Sequence, residues 1–180
     1  SGDITVAGAK NVSLKILIAS LLTDEEIILE NVPRRKDVFS VLEILGGCGV
    51  AWNWTDAHTL TVKNNGITST CVPLDAGARV RTSGLVMGPL LARMHTATVP
   101  NPGGCRLGAR PIDRHIEGLV RMGAQIRYDP SDGFFHADAP HGLHGSTVTF
   151  GKNTHTGTEA LLLASVLAEG KTVIRNAAEE

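Results

Sequence analysis

The sequence is poor in aromatic residues, with two Trp, one Tyr and four Phe in 180 positions. That scarcity argues against an aromatic-rich β-sandwich and favours close-packed α/β layers, which the 20 glycines also suit. It lacks net charge. The formal balance is -1, so nothing points to a nucleic-acid or anionic-membrane surface. No apolar run reaches membrane-spanning length, and no signal peptide is visible. Cysteine is sparse: Cys48, Cys71 and Cys105 form no CxxC pair and are odd in number. A reducing, cytoplasmic compartment is expected rather than a disulfide framework. No Pro/Ser-rich linker splits the chain, whose length allows one or two compact units.

What is present is a repeat. Leu17–Val32 resembles Leu162–Ala177, and Pro89–Pro100 is a weaker copy between them. Each reads as a helix end, a tight turn and a strand. Three copies of one supersecondary unit imply a pseudo-symmetric assembly in which each unit covers its neighbour's apolar face. Val38, Val41, Leu42 and Leu45 follow helical spacing, with Gly46 and Gly47 as the expected stop. Residues 58–63 alternate like a half-buried strand. Ile112, Ile116, Leu119 and Met122 mark another helix, ended by Gly123. Strands are expected near 125–128, 134–137 and 147–150, and an opening strand at 4–7. Both chain ends read as cut, so a fragment of a longer protein is expected.

One loop stands out chemically. Asn101–Asp113 places Cys105 between glycines and Arg110. Gly103, Gly104 and Gly108 permit tight bends and close ligand approach. Arg110 offers a fixed fork of donors for phosphate or carboxylate, and Pro111 suits a helix start, where free N–H groups attract anions. A thiol in that field is expected to have a lowered pKa. Cys48 and Cys71 lie beside apolar residues and read as packing thiols.

Three further segments have two readings each. Gly8–Asn11 sits at a strand-to-helix junction, where Lys10 could meet an anion, or be solvated with Asn11 as N-cap. Arg79 and Arg81 flank Val80 as an anion contact or as surface charges. Lys152–Thr158 is either a polar cradle for phosphate or sugar or an N-capping loop. His136, His141 and His144 show no metal-ligand spacing, and no metal is expected.

Taken together these loops resemble the N-terminal part of the UDP-N-acetylglucosamine 1-carboxyvinyltransferases, an enolpyruvyl transferase family. The likeness is carried by Gly8-Ala9-Lys10-Asn11, by Pro102-Gly103-Gly104-Cys105, by Gly108-Ala109-Arg110-Pro111, by Asp113 and His115, and by the Lys152 loop. It implies an α/β fold of repeated strand-helix units from an inside-out α/β barrel, here incomplete. Residues 1–180 would be a partial first domain: about two repeat units plus the start of a third, with the second domain absent.

The resemblance also implies a reaction: transfer of enolpyruvyl from phosphoenolpyruvate to the 3-hydroxyl of UDP-N-acetylglucosamine, with release of phosphate. No cofactor is implied. Cys105 matches the proton donor, Lys10 a phosphoenolpyruvate contact and Asn11 a sugar contact. Arg110 matches a residue touching both ligands' phosphates. Pro111, Ile112, Asp113 and Arg114 match the uridine-nucleotide segment. Arg81 matches the arginine after the middle strand, and His115 a supporting histidine. Lys152, Thr154 and His155 fall in the third binding loop. Two departures are local: Arg106 adds charge beside the thiol, and Gly157 falls one place late for the family's Lys-x-Ser-x-Gly. The family's catalytic aspartate belongs to the second domain, so this stretch alone is expected not to turn over. The shikimate-pathway enolpyruvyl transferase and a non-catalytic sugar-nucleotide binder are the alternatives.

Overall fold

The computed structural model describes residues 2–4, 6–103 and 112–179. The cysteine loop, with Cys105, Arg106, Arg110 and Pro111, lies outside the described residues. The chain begins with helix α1 (Lys10–Ala19), a 3-10 turn (Ser20–Leu22) and strand β1 (Glu26–Leu29). Helix α2 (Lys36–Gly47) and strands β2 (Val50–Trp54) and β3 (Leu60–Asn64) follow. A second run contains α3 (Leu74–Arg79), a 3-10 segment (Arg81–Val86), α4 (Met87–Met94) and β4 (Thr96–Pro100). It continues with α5 (Asp113–Arg121), β5 (Gln125–Asp129) and β6 (Phe134–Asp138). The last elements are β7 (Thr147–Thr149), α6 (His155–Ser165) and β8 (Val173–Arg175).

The sequence repeat reappears as sheet topology. One antiparallel sheet has the order β1-β3-β2 and another β4-β6-β5, so the same helix-strand-helix-hairpin path is walked twice. Strands β7 and β8 pair in parallel across α6. A shorter parallel contact joins Cys71 to Thr98 of β4, across α3 and α4. Asn31 and Asn176, counterparts in the repeat, both take left-handed backbone at φ 56 and φ 55. Asn tolerates this region better than most side chains.

Several sequence expectations are corrected. The described residues of the opening stretch form no strand, and Ile4 and Val6 are largely exposed. An isolated β-segment needs a ladder partner to hold it. Ala9, not Asn11, occupies the N-cap of α1 and makes no side-chain cap. Gly46 and Gly47 do close α2 as expected, with Gly47 its last residue. The left-handed residue beyond that helix is Gly49, at φ 97, which matches the usual glycine position after a helix end. Cys71 is exposed while Cys48 is buried, where loss of solvation pushes its thiol up to about 11.

The core is one contiguous apolar cluster. It draws on Leu17, Ile18 and Leu21 from the first repeat, Leu42 and Leu45 of α2, and Leu90 and Leu91 of α4. Leu119 and Leu161 extend it to α5 and α6. Helix α6 lies against both α4 and α5, and glycines set these approaches. A Cβ at Gly88 would press on the Ala160 carbonyl at 3.1 Å and on Ala164 at 3.3 Å. A Cβ at Gly118 would collide with the side chain of Leu161, which is fully buried and has nowhere to retreat. No helix among the described residues is long and apolar enough to cross a membrane.

The α5–α6 approach yields a stability prediction. Gly118→Val should overpack the crossing and lower unfolding free energy by about 1–3 kcal/mol. A urea-melt midpoint equal to wild type would show that Leu161 can move aside.

Candidate active site

A cavity of about 720 Å³ lies between α5 and the β7–α6 connection. Six residues singled out from sequence line it: Arg81, Asp113, Arg114, His115, Lys152 and Thr154. They come from three distant segments, and only the packing of α5 and α6 onto the core brings them together. Ile112 is buried just ahead of α5, at 6% exposure. Lys10, Asn11 and His155 sit in the first turns of α1 and α6, exposed and outside the cavity lining.

The two readings of each motif can now be separated. Arg79 pairs with Glu43 of α2 and donates from Nε to the Asp75 carbonyl at 3.0 Å, so it ties α3 to α2. Arg81 instead faces the cavity. Lys10 Nζ is 2.6 Å from Asp37 Oδ2, an ion pair across the α1–α2 contact with both side chains about half exposed. Thr154 is the N-cap of α6: its hydroxyl accepts from Gly157 N at 3.2 Å. Asn153 Nδ2 donates to the Ala177 carbonyl at 3.0 Å, and Thr158 Oγ1 donates to the Thr154 carbonyl at 2.8 Å. The loop is therefore a built capping structure that also presents Lys152 to the cavity.

Sequence reasoning missed the outer half of the lining. Glu117, Gly118 and Arg121 continue the α5 face begun by Arg114, and Thr149 and Gly151 join Thr156 of the expected cradle in the opposite wall. The helical spacing of 114, 117, 118 and 121 was the available signal. No ion pair joins Arg114, Arg121 or Lys152 to a carboxylate among the described residues. Among the described residues, four cations line the cavity against the carboxylates of Asp113 and Glu117. An anion would be attracted to it.

His115 forms part of the wall at 4% exposure. Its Nδ1 has no hydrogen-bond partner among the described residues. Burial pushes its pKa down to about 4, helped by the Arg81 and Arg114 charges and opposed by the Ile112 carbonyl and Asp113. The imidazole is neutral near pH 7. A buried polar atom without a partner costs about 1–3 kcal/mol, so Nδ1 is a candidate contact for a polar group.

The three histidines weighed as metal ligands do not converge among the described residues. His136 instead approaches Asp129 and Asp132 at the β5–β6 turn. Asp129 is held there by Ser131 and Arg127, and His136 Nε2 bonds Asp132 Oδ2 at 2.8 Å. These contacts account for the cluster as turn structure.

The comparisons with known proteins agree with this geometry. The family model described as EPSP synthase (3-phosphoshikimate 1-carboxyvinyltransferase) matches residues 1–180. The chain belongs to the enolpyruvyl transferase family. The UDP-N-acetylglucosamine 1-carboxyvinyltransferase of Acidiphilium cryptum is 49% identical over 179 residues, covering 99% of this chain and 42% of the relative. That of Dichelobacter nodosus is 43% identical, with the same coverage. The chain spans about two-fifths of the length of these relatives. Among solved structures, the enolpyruvyl transferase NikO from Streptomyces tendae superposes with a TM-score of 0.80 at 20% identity, covering 97% of this chain and 40% of that one. EPSP synthase from Acinetobacter baumannii gives 0.76 at 21% identity, covering 96% and 40%. At these identities the structural likeness is one of fold: an incomplete enolpyruvyl transferase α/β architecture.

The buried imidazole predicts an acid-side instability. The unfolded chain takes up a proton near pH 6.5 and the folded chain only near pH 4. The neutral-His115 contribution is therefore fully present above pH 6.5 and is lost as pH falls toward 4. It amounts to about 3 kcal/mol. Urea melts across this window should show the loss, and His115→Gln should flatten that part of the profile. An equally steep profile in the variant would assign the loss elsewhere.

Proposed function

We propose that the intact protein transfers the enolpyruvyl group of phosphoenolpyruvate to the 3-hydroxyl of UDP-N-acetylglucosamine and releases phosphate. The observation that carries this reading is the relatives' shared name at 43–49% identity across nearly the whole chain. The cation-lined cavity formed by residues of two of the binding loops supports it. Residues 1–180 would then form a partial first domain: about two repeat units and the start of a third. The place of the reaction is the first committed step of peptidoglycan precursor synthesis, in the cytoplasm. The substrates are two small molecules; no nucleic acid or membrane takes part.

The chemistry assigns roles. Cys105, as general acid, delivers a proton to the methylene carbon of phosphoenolpyruvate. The sugar hydroxyl attacks the adjacent carbon and loses its proton, giving a tetrahedral phospho-adduct. Loss of a proton from the methyl carbon and departure of phosphate restore the alkene in the product. Phosphate departure needs preorganised positive charge, supplied by Lys10 and Arg110. Asn11 contacts the sugar, while Pro111, Ile112, Asp113 and Arg114 receive the nucleotide beside Arg81 and Lys152. Thr154 and His155 border the same loop, and His115 supports the wall as a neutral, buried group. The Lys10–Asp37 pair keeps the ammonium ordered before substrate arrives. No step requires a metal. Glycines flanking Cys105 permit closure over the ligands and exclusion of water.

Phosphate-release assays on the intact protein test this reading. Turnover should require phosphoenolpyruvate with UDP-N-acetylglucosamine, and Cys105→Ser should lower kcat by about 10²- to 10⁴-fold, the range for a positioned general acid. Unchanged turnover in the variant would sink the acid role. Acceptance of shikimate 3-phosphate in place of the UDP-sugar would move the protein to the shikimate pathway. Binding without turnover would make it a sugar-nucleotide-binding homologue.

A further inference from the structure

We infer that Arg121, acting with Arg114, grips the diphosphate of the nucleotide ligand and gives the groove its preference for charged over neutral nucleosides. The inference rests on the proposed function and adds a residue that the binding loops do not contain. Arg114 and Arg121 are seven residues apart on α5, so they share one face about 10 Å apart along the axis. Both line the cavity, as does Lys152 on the facing wall. Glu117 lies between the arginines at helical spacing, yet no ion pair neutralises either guanidinium among the described residues. The neighbouring His115 ring is buried in the same wall, and its Nδ1 has no partner among the described residues. One cation suits one phosphate. Spaced guanidiniums facing an ammonium suit two linked phosphates, because each fork can bond two anionic oxygens.

A helix-terminal arginine also complements the helix dipole, since Arg121 is the last residue of α5. That role would change thermal stability and leave ligand affinity alone, which separates the two. The test is calorimetric titration of the intact protein with UDP and with uridine, at low and at physiological salt. Arg121→Gln should weaken UDP binding by about 10- to 150-fold, as expected for a charged hydrogen bond, while uridine binding holds. Its salt dependence should become shallower than wild type. Arg121→Lys, which keeps the charge, should recover most of the loss. Unchanged UDP affinity in Arg121→Gln beside normal wild-type binding would overturn the Arg121 assignment alone. An equal loss for uridine would also overturn it. A wild-type protein that binds no UDP would overturn the functional reading and this inference together.

Discussion

The cavity depends on how closely α6 can approach α4 and α5. Gly88 and Gly118 remove the side chains that would hold the helices apart, and Leu161 fills the space gained. That contact fixes the loop before α6 against the outer face of α5. The anion-attracting wall of one segment and the capped loop of another become opposite sides of one groove. Interior packing tolerates little added volume, so the site's geometry is inherited from two missing Cβ atoms rather than from polar contacts within the site.

Charge is divided by location. Arg79 with Glu43, Arg93 with Asp24 and Lys15 with Glu159 are matched pairs that tie one element to another. The exposed Arg79–Glu43 pair contributes little stability by itself, whereas Lys15 and Glu159 meet in a mostly buried setting. The cations around the cavity are organised differently: Arg114, Arg121 and Lys152 have no carboxylate in ion-pair contact among the described residues. Leaving them unmatched makes sense where a ligand provides the counter-charge.

Much of this was legible in the sequence, for identifiable reasons. The helix-turn-strand repeat could be read because its backbone needs recur, down to the left-handed Asn31 and Asn176. Periodicity located α2 and α5, and β3, β5 and β6 fell close to their expected places, while β2 was not anticipated. The repeat could not reveal burial. Leu17 is fully buried whereas its counterpart Leu162 is 58% exposed, because α2 covers the first copy. The opening strand failed for a related reason: alternation specifies a strand's faces but provides no ladder partner. At the site, motif residues Arg81, Asp113, Arg114, His115, Lys152 and Thr154 were found, while Arg121 and Glu117 were not. The motif ends where α5 begins its second turn, and only the structure shows the groove running on along that helix.

The neutral imidazole in the wall has a consequence for how the groove responds to its surroundings. With its pKa pushed down to about 4, the His115 imidazole adds no positive charge to the groove around neutrality. A phosphate monoester changes charge near pH 6. Such a guest would change its own charge around neutrality while this imidazole in the wall stays neutral.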